Sequence, residues 1–320
     1  PLYSSAASDV YKRQALFGLY FYVYNLRQGY PYLYYTLSAI TIIFMIAVPI
    51  LTMRSFAEDR KNKTDQLMLT APVPVAKVVL GKYLAMLAVF TVDIAVFCVT
   101  PLILRAFGTI PMGESYIAIL AFWLYGAASI AVGMFISALT ESQVIAAVLT
   151  FVVLFISYMM QSLTGLISSD GNWLTKILNG LDLYAPFEKF QGGCLDITAI
   201  LYYVTVIVLF NFFTVQAIQK RRWSISKKTF SLSVFSSSFI VVVFALAVVA
   251  NLAVDALPTR ITSLDCSYSK LYSITKDTKK NMKKLKSDVT IYVLAAEKSK
   301  DAQIDLSLIH ISEPTRRTPI

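Results

Sequence analysis

A charged stretch, Arg54 to Thr70, stands between two long apolar runs, and no helix facing lipid could carry it. The chain must therefore leave an apolar environment at Arg54 and re-enter one after Thr70. Read as one helix at about 1.5 Å per residue, the polar part would span about 26 Å. That helix would put Asp59 and Lys63, and Lys61 and Asp65, one turn apart and able to pair. Pro72 and Pro74 then end it, because proline lacks the amide donor and restricts the residue before it. The expected element is a short surface helix that turns sharply back.

Apolar runs long enough to cross about 30 Å of hydrocarbon occur at 34 to 53, 78 to 106, 115 to 139, 143 to 166, 198 to 218 and 229 to 253. A shorter run at 15 to 24 reads as the stump of an earlier one. With 57% hydrophobic residues, the fold class is an all-α polytopic membrane protein, six whole spans plus a truncated first one. If the 54 to 82 segment faces the cytoplasm, the loops on that side carry eleven Lys and Arg and the other loops four. That bias fixes orientation by the positive-inside rule.

The run from Thr52 to Phe56, then Glu58, Lys63 to Asp65, Leu67, Thr70, Pro72 and Gly81 to Tyr83, resembles the permease subunits of type-2 ABC exporters, particularly the gliding-motility (GldF-like) branch. The family commonly carries Gly where this chain has Lys63. The resemblance implies an intracellular loop lying against a separate cytosolic ABC ATPase, with Arg54, Glu58, Asp59, Arg60, Lys63, Thr64 and Asp65 as coupling residues. It further implies a multi-pass subunit of the bacterial cytoplasmic membrane, working by alternating access as a homodimer or with a related permease. ATP would be bound by the partner, with no cofactor on this chain. Export as the direction follows from the resemblance, and substrate does not. The rival reading is a non-transporting assembly in which an ATPase drives an extracytoplasmic module.

The chemistry of the chain agrees with a subunit that moves but does not catalyse. Gly81 and Lys82 are followed by Tyr83 with no glycine five positions earlier, so there is no phosphate loop. Residues 4 to 14 and 306 to 316 look like translated sequencing adapters, and the ends 1 to 14 and 306 to 320 are set aside as artefact. His310, the one histidine, goes with them, which removes imidazole triads, metal ligands and proton relays. Nothing marks a nucleic-acid partner. Cys98, Cys194 and Cys266 match no metal or redox spacing, and sequence does not place Cys194 near Cys266.

Asp93 is the carboxylate deep within a span. It reads either as a proton or substrate site or as a partner of Thr91 or Gln161. Glu141, between Thr140 and Ser142, reads as a cap and topology marker. In the loop after the fifth apolar run, Trp173, Leu174, Ile177, Leu178 and Leu181 recur at helical spacing, as for a helix lying at the membrane surface. The following run, Tyr184 to Asp196, also resembles the permease branch. That likeness implies an outer gate with Trp173, Tyr184 and Phe187, the alternative being a plain interfacial anchor.

A permease domain is thus expected over 15 to 228, followed by an anchor helix over 229 to 253. After it a basic helix at 271 to 286 and a strand at 288 to 294 open an α/β domain over 254 to 305. Asn251, Asp265, the run Ser269 to Ser273 and Thr278 resemble the start of a GldG-like auxiliary subunit, which implies an extracytoplasmic position.

Overall fold

The computed structural model describes residues 14–70, 72–167, 175, 178–190, 192–220, 227–257, 262–266, 280–281 and 283–284. Trp173, the adapter-like ends other than Gln14, the strand expected at 288–294 and most of the helix expected at 271–286 lie outside them. Residues 274–320 group apart from the rest, and the architecture below belongs to residues before them.

Helix α6 (Met112–Leu139) is the axis of the bundle. It is apolar on all sides, as a helix surrounded by other helices must be, and it is the most deeply buried of the long helices. Around it pack α1 (Leu33–Thr52), α4 (Val75–Phe97), α7 (Gln143–Tyr158) and α10 (Ile197–Gln219). Two glycines set the closest approaches. A Cβ on Gly126 would lie 2.3 Å from the Phe90 ring of α4, and one on Gly133 would lie 2.4 Å from the Thr52 hydroxyl of α1. Two buried hydroxyls of α1 are satisfied within their own helix, Thr41 donating to the Leu37 carbonyl and Thr52 to that of Val48, both at 2.9 Å.

Among the described residues, four helical runs, Leu33–Lys61, Val75–Phe107, Met112–Leu139 and Ile197–Gln219, are long and apolar enough to cross a membrane. A fifth is the pair α7 and α8 (Met160–Ile167), bent by 56° at Met159. The expected straight span at 143 to 166 is thus broken, and the one at 78 to 106 is divided at Cys98 into α4 and α5 (Thr100–Phe107), with Pro101 in the first turn of α5. The sixth expected span falls in α11 (Lys227–Asp255), whose stretch Ile240–Asp255 is apolar. Before α1, helix from residue 14 widens into a π-helical turn, Tyr22–Arg27.

The expected single helix over Arg54 to Thr70 is instead two, α2 (Ala57–Lys61) and α3 (Asp65–Thr70). Lys63, between them, has φ +58°, a left-handed conformation that ends α2 and redirects the chain. Asp59/Lys63 and Lys61/Asp65 are therefore not pairs on one continuous helix.

At the opposite end of the bundle lies the segment 178–196, with the short helix α9 (Ala185–Glu188). Strand β1 (Cys194–Asp196) pairs antiparallel with β2 (Ser263–Asp265), Cys194 opposite Asp265. The Cys266 amide donates to the Gly193 carbonyl at 3.1 Å, so Cys194 in β1 and Cys266 just after β2 lie at the same end of the ribbon. The pleat turns consecutive side chains to opposite faces, and both thiols are free.

Candidate functional site

The charged segment is built into the bundle by three side chains from outside it. Ser137, fully buried near the end of α6, accepts the backbone N–H groups of Phe56 at 3.2 Å and Ala57 at 3.1 Å. Its own hydroxyl donates to the Met53 carbonyl at 3.0 Å. One side chain thereby satisfies the turn that joins α1 to α2, where the first amides of a helix have no partner within it. Lys82, in the first turns of α4, forms an ion pair with the Asp59 carboxylate, donates to the Ser55 carbonyl at 2.5 Å and lies 4.6 Å from the centre of the Phe56 ring. Glu141 meets the Arg60 guanidinium at 2.9 Å, while the same guanidinium donates to the Leu139 carbonyl at 2.8 Å.

These contacts divide the seven coupling residues expected from sequence. Asp59 and Arg60 turn towards the bundle and are held by α4 and by the end of α6. Arg54, Lys63 and Thr64 are exposed, and Glu58 and Asp65 are half-buried. Thr64 also closes the break between α2 and α3, its N–H and hydroxyl both donating to the Asp59 carbonyl at 2.9 and 3.1 Å. The segment thus shows one face fastened to two long helices and another face of charge turned to solvent.

Ser137, Lys82 and Glu141 lie outside the set of coupling residues that the resemblance implies. Lys82 carries a signal of its own, since it belongs to the Gly81 to Tyr83 run that carries the resemblance. The sequence around Glu141 suggests a turn marker. The Ser142 hydroxyl caps α7, accepting from the Ile145 N–H at 3.5 Å, and Glu141 beside it is turned to Arg60. Ser137 carries no sequence signal, because a serine in an apolar helix usually bonds to its own backbone.

At the far end the two described gate candidates pack against the bundle, one of them inside it. Phe187 is fully buried, its ring 5.2 Å from that of Tyr34 on α1 and 6.3 Å from those of Phe122 and Tyr125 on α6. Tyr184 is half-buried and packs edge-on against Tyr158 at 4.8 Å. The backbone that carries them is strapped down by three helices. Ser157 of α7 donates to the Leu181 carbonyl at 2.9 Å and accepts the Leu183 N–H at 2.8 Å. Tyr202 and Tyr203 of α10 donate to the carbonyls of Gly180 and Leu183 at 3.1 and 2.9 Å. Thr164 of α8 donates to the Asn179 side chain at 2.8 Å. Asp182 starts α9 by accepting the Tyr184 and Ala185 N–H groups at 2.7 and 3.0 Å. Burial holds its carboxyl above the usual range, against the lowering effect of those two bonds. With the Phe187 ring in the core and its backbone fastened by α7, α8 and α10, the segment sits over this end of the bundle in the manner of a plug.

Asp93 lies between the two ends, 3% exposed. Its expected partners have other contacts: the Thr91 hydroxyl donates to the Leu87 carbonyl at 2.7 Å and accepts from Trp123 at 3.0 Å, and Gln161 donates to Glu188 at 3.4 Å. Cys194, half-buried in the strand ribbon, has its thiol pushed up to about 11 by burial and by nearby Asp265, Cys266, Asp196 and Glu114, which favours the protonated form at neutral pH.

Residues 15–192 match the family model described as ABC-2 family transporter protein. No curated protein and no solved structure matches the chain.

Proposed function

The chain belongs to the ABC-2 transporter family and is the permease component of an ABC transporter, and from that premise we propose that the 54–70 segment docks a separate ATPase whose ATP-driven closure is passed to α6. The carrying observation is the two-sided character of the segment. Asp59 and Arg60 are tied to the bundle, while Arg54, Lys63 and Thr64 face outward. A docking element needs both: a face that recognises the partner and a fastening that keeps its displacement from being lost in loop motion. Ser137 is that fastening, and α6 carries the movement towards the plug at Phe187.

In this reading the chain works as a permease dimer in the bacterial cytoplasmic membrane, with the 54–70 end cytoplasmic and the plug end outside. It exports its substrate when the plug is released. The Thr52 to Tyr83 motif supports the GldF-like branch, and the segment after α11 supports an extracytoplasmic GldG-like module.

Co-expression with the cognate ATPase tests the docking. Arg54→Glu with Lys63→Glu reverses the outward charge without touching the Ser137, Lys82 or Glu141 contacts. Copurification of the ATPase should fall at least tenfold while the permease still inserts and melts as wild type. Undiminished copurification and transport-coupled hydrolysis would remove the docking assignment.

A further inference from the structure

The plug end receives one contact from much later in the chain. Strand β1 follows the plug directly, whereas its partner β2 lies after α11. The Cys266 N–H donates to the Gly193 carbonyl at 3.1 Å, and hydrogen-bonded pairs alternate along an antiparallel ladder. Leu264 and Leu195 are therefore the next bonded pair, and Cys194 and Asp265 are the close, unbonded pair between. Both strands rest on the first turn of α6. A Cβ on Gly113 would lie 3.0 Å from the Cys266 carbonyl oxygen, and one on Gly193, whose φ is +72°, would lie 2.4 Å from the Glu114 side chain.

The path from this ribbon to the buried rings is short and bonded throughout. The Gly193 N–H donates to the Phe190 carbonyl at 3.1 Å, and the Phe190 N–H to that of Phe187 at 3.2 Å. Both rings are fully buried. Gly193 thus carries two bonds at once, its N–H to the plug and its carbonyl to the chain after β2. Beyond β1, Asp196 accepts the Thr198 N–H at 2.8 Å and starts α10, whose Tyr202 and Tyr203 hold Gly180 and Leu183. Leu195 packs against the core, while Leu264 opposite it is 57% exposed.

We propose that β2 is a releasable latch on the plug: the plug stays seated while β2 is paired with β1, and leaves its seat only after β2 has parted. Withdrawing Phe190 drags Gly193 with it and breaks the bond to Cys266, so the ribbon and the seated plug stand or fall together. A two-stranded ribbon of three residues a side is marginally stable alone. Its parting is therefore a smaller step than emptying two buried ring sites, and it comes first. Because β2 follows α11, control of the plug belongs to the part of the chain after the last long apolar helix. The latch rests on the permease reading for its meaning as control of a gate. Its hold on the plug is measured without the ATPase, so failure of docking and failure of the latch are separate results.

The test uses the full chain in phosphatidylcholine nanodiscs and reads hydrogen exchange of the backbone amides over 183–193, with α6 as the internal reference. Leu264→Pro removes a ladder donor from β2 and little packing. Exchange over 183–193 should rise at least tenfold while α6 is unchanged. Asp265→Cys, made together with Cys98→Ala and Cys266→Ser, sets a second thiol opposite the native Cys194. Close cross-strand pairs have Cα atoms about 4.5 Å apart, within the range a disulfide spans. After oxidation by copper phenanthroline, exchange over 183–193 should be at least tenfold slower than in the same protein reduced by dithiothreitol. Equal exchange of Leu264→Pro and wild type overturns the proposal, and so does an equal rise in α6, which would make β2 a general packing element. If Leu264→Pro fails to insert, equal exchange of the oxidised and reduced forms overturns it alone, as does failure of the disulfide to form.

Discussion

At the 54–70 end of the bundle, hydroxyl, ammonium and guanidinium groups hold backbone carbonyls and amides in a half-wet setting. At the 178–196 end, rings fill a dry interior and hydroxyls from α7, α8 and α10 strap the chain over them. Polar contacts at the first end can be exchanged for contacts with water or a partner at modest net cost, since an intramolecular hydrogen bond contributes only about 1 kcal/mol. A buried ring has no such substitute, and withdrawing it leaves a void. The first end is therefore suited to engaging and releasing another protein. The second is suited to staying shut until something displaces it.

The largest way to break that contrast is Phe187→Ala. Emptying a fully buried phenylalanine site costs about 3–5 kcal/mol, and thermal melting of the detergent-solubilised protein should drop accordingly while ATPase copurification is unchanged. Loss of copurification with Phe187→Ala would show that the two ends do not have separate roles. Ser137→Ala comes next. It strips the partners from two amides and one carbonyl at about 1–3 kcal/mol for each group left buried and unsatisfied. Here coupling should suffer beyond stability: ATP hydrolysis by the copurified enzyme should no longer respond to the permease. A Ser137→Ala protein that melts lower yet couples normally would make Ser137 a packing residue only.

The remaining two sharpen the contrast. Lys63→Gly should be neutral or stabilising by up to about 1 kcal/mol, because glycine adopts φ +58° without the penalty of a side chain, offset in part by its greater freedom when unfolded. A clear destabilisation, read by the same melting assay, would mean that the lysine side chain holds the break. The smallest effect is expected at Asp182. Its folded carboxyl binds protons more readily than the unfolded one, whose value is near 3.8, so its contribution to stability falls as pH rises through the raised folded value. Stability should rise as pH drops from neutral towards 3.8, and Asp182→Asn should flatten that part of the profile relative to wild type. Parallel profiles for the two proteins would contradict the burial-driven shift.

How far these ends could be read from sequence depends on the distance of the partners. The long helices were legible because an apolar run reports its own burial, and Pro72 and Pro74 announced the return of the chain. The break at Lys63 was not legible, since the i, i+4 charges argue for one helix. What decides against it is Lys82 taking Asp59 from 23 residues away and Ser137 holding Ala57 from 80 residues away. The bend at Met159 was hidden for the opposite reason, because nothing in the apolar run 143 to 166 marks a stop. The family likeness points to Tyr184 and Phe187. That Phe187 would lie inside the bundle could not be read from a loop composition that suits a membrane surface equally well.

Helix α6 runs unbroken for 28 residues, about 42 Å at about 1.5 Å per residue, whereas the neighbouring paths break at Cys98 and Met159. In mechanical terms α6 is a stiff strut, and the 56° bend at Met159 is a compliant joint beside it. Under the proposed docking, a displacement applied through Ser137 would travel along the strut, and deformation would collect at that joint. The joint at Met159 lies two residues beyond Ser157, which holds the plug backbone. Under the proposed docking, stiffness and compliance would act on one object from two sides: α6 would move the ring contacts of Phe187, and flexing at Met159 would decide whether its backbone follows.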